Sequence, residues 1–207
     1  AVMQELKKQY NSITNAMGVG IDSVVSTTEF LSVEEAKRMG YAIPANYKES
    51  VVPKLKFDEV DEFLKICSEN GLYCQFNVLL WYGYENEHFF RKGYKVDGEY
   101  VTPEVMDARM EFYIRTVMGH VYDHPNGSIV YSWDVVNEYL NADDTNWIKV
   151  YGGKSLTPSF VKLAYEIADD VLKDYGIRDK VTLIFNDYNT YMNTQKLISI
   201  VDFINSD

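Results

Sequence analysis

Three times in this sequence a run with helical periodicity leads directly into a stretch of branched and aromatic residues long enough to make a buried strand. Between Asp58 and Gly71 the apolar residues Val60, Phe63, Leu64 and Cys67 fall at i, i+3, i+4 and i+7, with Asp58 as the expected N-cap and Gly71 just past the C-terminus. Leu72 to Trp81 follows as a strand. Thr102-Pro103 opens a second helix running through Met106, Met110 and Ile114 toward Val121, Pro125-Asn126-Gly127 turns the chain, and Ser128 to Val136 is the next strand. Thr157-Pro158 opens a third helix, with Phe160, Leu163, Ala164, Ile167 and Val171 on one face and a stop at Gly176, before a strand at Val181 to Phe185. A helix near Met3 to Tyr10 with a short strand around Ser12 to Thr14 precedes this series, and a helix at about Thr194 to Asn205 ends it.

Alternating helices and buried strands predict a parallel α/β sheet. No strand is followed by a glycine-rich phosphate loop, which argues against a nucleotide-binding doubly wound sheet and favours a (β/α)8 TIM barrel. Such barrels have eight strands and typically about 250 residues. This chain of 207 residues, read as one partial domain, supplies about half: four strands and five helices. Residues 15–56 and 82–101 read as the longest irregular stretches. Both follow strands, at the end where these barrels build their sites, so both are expected to be binding loops.

Charge and composition narrow the function. Against 31 acidic residues there are 20 basic ones, a net charge of −11, which repels nucleic acid and anionic membranes. Neither is expected as a partner. Cys67 and Cys74 have no CxxC spacing and only His88, His120 and His124 could add imidazole, so neither a metal site nor a disulfide framework is expected. No cofactor is indicated. No apolar run approaches the roughly 18 residues needed to cross a bilayer, and the first residues read as a helix, so no signal peptide is expected.

The segment Trp133-Asp134-Val135-Val136-Asn137-Glu138 ends a buried strand with an amide and a carboxylate. Until the strand frays, alternation puts Asp134, Val136 and Glu138 on one side and Trp133, Val135 and Asn137 on the other, with Asp134 one layer below Glu138. A carboxyl held partly out of water at that position is suited to general-acid work; the plain structural reading is a helix cap or a surface ion pair. Gly152-Gly153-Lys154-Ser155 lacks the first glycine and the strand of a phosphate loop and reads as a surface turn. Asp143-Asp144 reads as a solvated loop pair.

The hexapeptide resembles the acid/base signature of glycoside hydrolase family 10, the retaining endo-β-1,4-xylanases. The likeness extends in order and spacing through Asn11 to Thr14, Tyr41 to Lys56 with its Ile43-Pro44-Ala45-Asn46-Tyr47 core, Val105 to Arg109 and Phe185 to Asn189. It covers essentially the whole chain. The resemblance implies that Glu138 protonates the glycosidic oxygen and later deprotonates water, that Asn137 hydrogen-bonds the sugar 2-hydroxyl, and that Trp81 walls the sugar at the cleavage point. It implies support of the acid/base region by Asp134, Asn186 and Asp187 through hydrogen bonds. Asn77, Tyr82 and Tyr188 join the substrate-binding set; Tyr82, Tyr84 and Tyr188 could stack on sugar faces or, equally, close the core at the barrel rim. The substrate implied is β-1,4-xylan or a xylo-oligosaccharide, and the protein implied is secreted.

Two segments depart from the family pattern. Where it usually reads Met-Glu-Asn-Glu-Met-Lys-Pro, this chain has Asn15-Ala16-Met17-Gly18-Val19-Gly20-Ile21; where it reads Arg-Gly-His-Thr-Leu-Val-Trp-His, the chain has Gln75 to Tyr82 with both histidines replaced. The sugar site is therefore expected to be impaired. The family's nucleophile, about 5 to 5.5 Å from the acid/base in retaining enzymes, lies on a later strand and is expected from outside these residues or from a complementary polypeptide. Two alternatives follow. In one, the barrel is engineered, with Ala16, Gly18, Gly20 and Val78 enlarging and drying the pocket for a small apolar ligand and Glu138 or Asp134 acting as general base on a non-sugar substrate. In the other, the chain binds xylo-oligosaccharides without catalysis.

Overall fold

A computed structural model describes residues 2–16, 18–83 and 86–206. Along the chain run α1 (Val2–Gln9), β1 (Ser12–Ala16), α2 (Ile21–Val24), β2 (Val25–Ser32), α3 (Val33–Arg38), β3 (Val51–Leu55), α4 (Asp58–Glu69) and β4 (Tyr73–Leu80). There follow α5 (Pro103–Asp123), β5 (Val130–Asn137), α6 (Asn146–Val150), α7 (Ser159–Asp174), β6 (Thr182–Asn186) and α8 (Thr194–Ile204).

The four strands expected from the helix-then-strand rhythm form one parallel sheet in the order β1-β4-β5-β6. Parallel neighbours need a crossover, and α4, α5 and α7 supply it. One face of the sheet packs on these helices: Phe76 stacks on Trp133 with ring centroids 5.0 Å apart, Phe63 meets Phe76, and the Trp133 indole N–H donates to the Tyr122 hydroxyl at 2.7 Å. The other face, turned toward the barrel axis, carries Gln75, Asn77 and Asp134. Helix starts differ from the reading by a residue: Phe57 rather than Asp58 is the N-cap of α4, and Pro158 that of α7. Gly71 and Gly176 stop their helices at positive φ, 66° in both, where a side chain would be strained.

The expectation of an irregular stretch at 15–56 is corrected. It contains α2, α3 and an antiparallel pair, β2 with β3, whose register shifts between Val25 and Phe30. That irregularity breaks the two-residue alternation by which a strand is recognised, and Pro53 inside β3 argues against a central strand while being tolerated in a two-stranded edge. The described residues of 82–101 are likewise more ordered than read. Among the described residues there, two 3₁₀ turns (Glu87–Phe90 and Lys92–Tyr94) bury Phe89, Phe90 and Tyr94.

Both connections are clamped to α5. The fully buried Arg109 donates to both oxygens of Glu49 (2.6 and 2.5 Å) and to the carbonyls of Phe89 (2.7 Å) and Arg91 (3.0 Å), with its guanidinium 3.7 Å from the Tyr94 ring centre. The Tyr113 hydroxyl lies between the carbonyls of Val19 (2.5 Å) and Leu79 (2.9 Å), tying the turn after β1 to the end of β4.

Candidate active site

Glu138 stands where β5 ends. Its backbone is left-handed, φ 60° and ψ 29°, and its N–H donates to the Asn186 carbonyl at 2.7 Å, so the end of β6 holds it in place. A non-glycine residue kept in this conformation costs energy that the surroundings must offset. Simple alternation does not reach it, because the β5 register shifts between Asp134 and Val136 against both neighbouring strands. β5 ends at Asn137, so the alternation stops before Glu138.

Trp81, one residue past β4, donates its indole N–H to Oε2 of Glu138 at 2.7 Å. Tyr82 sets its phenol against both Glu138 and Tyr188; burial first, and then the Glu138 charge, push its ionisation up, so the hydroxyl stays protonated. Tyr188 is about half exposed. One carboxyl, one indole and two phenols are thus gathered at the C-terminal ends of the strands, the end at which such barrels place their chemistry.

Beneath and beside them lies the supporting layer. Asp134, 3% exposed, accepts from Nε2 of Gln75 (2.8 Å) and Nδ2 of Asn77 (2.5 Å), and burial raises its pKa above the usual carboxylate value. Asn77 thus spends its amide on Asp134. Asn186 donates to Oδ1 of Asn137 at 2.6 Å. Asp187 accepts from the backbone N–H of Leu140 (2.7 Å), Nδ2 of Asn141 (2.6 Å) and the N–H of Tyr188 (2.8 Å), pinning the turn that follows Glu138.

Two expectations about the pocket are revised. Val78 is 2% exposed and Gly20 is buried as the N-cap of α2, so neither widens a cavity; Val19 and Ile21 are core residues. Gly18 faces the amide of Asn15, with no room for a side chain between them. Tyr84 and Met17 lie outside the described residues.

Sequence reasoning missed Trp147 and Gln75. Trp147 sits on the one-turn α6, 3% exposed, donating to the Trp81 carbonyl at 3.3 Å and stacked on Phe160 with centroids 5.4 Å apart. Its signal was present in Thr145, whose hydroxyl accepts from Ile148 N–H as an N-cap. Gln75 could be found only as the neighbour of Asp134 across the strand pair.

A parallel sheet with a carboxylate at a strand's C-terminal end, flanked by an indole and phenols, is half of a (β/α)8 barrel with polar groups at the face where such barrels place their sites. The profile of Glycosyl hydrolase family 10 matches residues 2–206, and the chain belongs to that family. It is 41% identical over 206 residues to endo-1,4-beta-xylanase A of Butyrivibrio fibrisolvens, across 99% of this chain and 50% of that protein. It is 29% identical to the bifunctional endo-1,4-beta-xylanase XylA of Ruminococcus flavefaciens, across 90% of this chain and 18% of that one. Among solved structures it resembles the Clostridium thermocellum endo-1,4-beta-D-xylanase 10B modules complexed with xylohexaose, with a TM-score of 0.75 at 19% identity, covering 97% of this chain and 38% of that one. The Caldicellulosiruptor owensensis endo-1,4-beta-xylanase gives 0.66 at 23%, covering 97% and 50%. These likenesses show the fold. The chain spans half the length or less of these relatives.

Proposed function

We propose that this chain forms the acid/base half of a retaining endo-β-1,4-xylanase site. The observation that carries the reading is Glu138, set at a strand's C-terminal end with its carboxyl on the Trp81 indole N–H and beside Tyr82. In this role Glu138 protonates the glycosidic oxygen as the bond breaks, then takes a proton from the water that attacks the glycosyl intermediate. In this reading Asn137, which accepts from Asn186, binds the 2-hydroxyl, and Trp81, Tyr82 and Tyr188 offer apolar faces and hydroxyls to the sugars. The nucleophilic carboxylate comes from the other half of the barrel. A base role for Asp134 on a small non-sugar substrate is disfavoured, because both its oxygens are occupied by Gln75 and Asn77 and it is 3% exposed.

The test joins the chain to the remaining half of the barrel from the Butyrivibrio relative and follows hydrolysis of xylan and of an aryl xylobioside with a good leaving group. Glu138→Ala is expected to cut xylan turnover by about 10²- to 10⁴-fold, and the activated substrate, which needs no leaving-group proton, by less. Unchanged xylan turnover in Glu138→Ala would overturn the assignment; binding of xylo-oligosaccharides with no turnover in the joined protein would leave a binding role only.

A further inference from the structure

Two thiols on different elements meet in the layer between α4 and the sheet. Cys67 lies in the last turn of α4, Cys74 is the second residue of β4, and both are 0% exposed. Their spacing in the sequence matches no thiol motif; the fold is what pairs them. The turn between them, with Gly71 at φ 66° and the Leu72 N–H on the Cys67 carbonyl at 3.0 Å, sends the chain back along the helix it has just left. Helix and strand therefore run in opposite directions, and their facing side chains form rungs. Phe63 and Phe76 make one rung, with ring centroids 5.8 Å apart. Four residues further along a helix advance about 6 Å, and two residues back along a strand cover about 6.6 Å. The next rung thus sets Cys67 against Cys74, and the two thiols are hydrogen-bonded to each other.

The pair is chemically unequal. The bond from Cys74 holds the Cys67 thiol below the ordinary cysteine value, whereas the same bond, and then burial, push Cys74 up. Cys67 is the sulfur that ionises first. The Tyr122 hydroxyl lies near enough to feel Cys74; burial raises its ionisation, so it stays protonated while it accepts from the Trp133 indole N–H at 2.7 Å.

We propose that Cys67 and Cys74 close to a disulfide when the chain meets an external disulfide such as oxidised glutathione, locking the last turn of α4 onto β4. The Cys67 thiolate attacks one sulfur of the reagent and releases one glutathione, which takes up the Cys67 proton. Cys74 then attacks the Cys67 sulfur of the mixed disulfide and releases the second glutathione, which takes up the Cys74 proton. Two protein thiols are oxidised and one glutathione disulfide is reduced to two thiols. Because both sulfurs are buried, exchange waits on opening of the last turn of α4, closed by the Asn70 N–H on the Cys67 carbonyl (3.1 Å) and the Asn70 amide on the Ile66 carbonyl (2.8 Å). The strand so clamped leads to Trp81 and its bond to Glu138, but the inference stands independently of the xylan reading.

The test incubates the reduced chain with excess oxidised glutathione at urea concentrations below its unfolding transition. Samples are quenched in acid, denatured, treated with iodoacetamide and weighed by intact-mass spectrometry. The expected product is lighter by about 2 Da, carries no alkylation, and forms faster as urea loosens α4. Its urea unfolding midpoint should lie about 1 M above that of the reduced chain. Cys74→Ser should stop at a single glutathione adduct on Cys67. Two alkylated thiols after the reagent has equilibrated, a persistent adduct in the unsubstituted chain, or disulfide-linked dimers would each overturn the pairing. Closure with an unchanged or lowered midpoint would overturn the lock.

Discussion

Replacing Arg109 with methionine removes the cation that ties both long connections to α5, while the methionine keeps most of the apolar stem's volume. The change leaves Glu49, whose side chain is 22% exposed, without its bidentate partner, and orphans the carbonyls of Phe89 and Arg91. Breaking one side of a buried ion pair costs about 3–5 kcal/mol. Partial exposure of Glu49 pulls its share toward the lower end, and the two carbonyls add back on the order of 1 kcal/mol each where water does not reach them. The expected loss is about 4 kcal/mol, which at about 2 kcal/mol per molar urea lowers the unfolding midpoint by about 2 M. Adding Glu49→Met removes the stranded carboxylate, so the double variant is expected to regain about 1–2 kcal/mol over Arg109→Met alone. Urea unfolding followed by far-ultraviolet circular dichroism checks both. A midpoint shift below about 0.5 M in Arg109→Met, or a double variant less stable than the single, would refute the reasoning, since either would mean the pair does not hold these connections.

Three further outcomes follow from the site. Burial raises the Asp134 carboxyl above its ordinary value, so the folded form holds its proton more tightly than the unfolded chain; stability relative to Asp134→Asn is therefore expected to fall as pH rises from about 4 through the folded-state value, and then to level off. A difference that grows in favour of the native protein over that window, in urea titrations at several pH values, would contradict this. Asp187→Ala strips the acceptor from Leu140, Asn141 and Tyr188 and is expected to cost about 1–3 kcal/mol in thermal unfolding, with xylan turnover in the joined barrel reduced further than xylo-oligosaccharide affinity. Trp147→Phe preserves the stack on Phe160 but deletes the donor to the Trp81 carbonyl; stability should drop by about 1 kcal/mol, and kcat should fall with little change in KM. Equal changes in kcat and KM would assign Trp147 to packing alone.

The extent to which the site could be read in advance differs from residue to residue. Glu138 was marked by lying just past an apolar strand, and Asp187 by lying just past the next; both carry their signal in adjacent residues. Asn77 entered the substrate-binding set through the family resemblance; that its Nδ2 donates to Asp134, a partner 57 residues away, is something spacing cannot reveal. Gly20 and Val78 looked like pocket enlargements because they replace polar residues of the family pattern, and only burial shows them to be structural.

Hydrophobic periodicity determined the alternation of helices and parallel strands, because burying one face of a helix and both faces of a strand is a local demand written at intervals of 3.6 and in unbroken apolar runs. Proline and glycine determined the helix boundaries to within a residue or so. The tertiary structure decided the β2–β3 pair, whose bulge erases the local pattern, and the left-handed backbone of Glu138, which depends on the Asn186 carbonyl across the strand pair. It also decided where Lys154 sits, its ammonium held by the Leu140 carbonyl and by Asp143, partners 14 and 11 residues away.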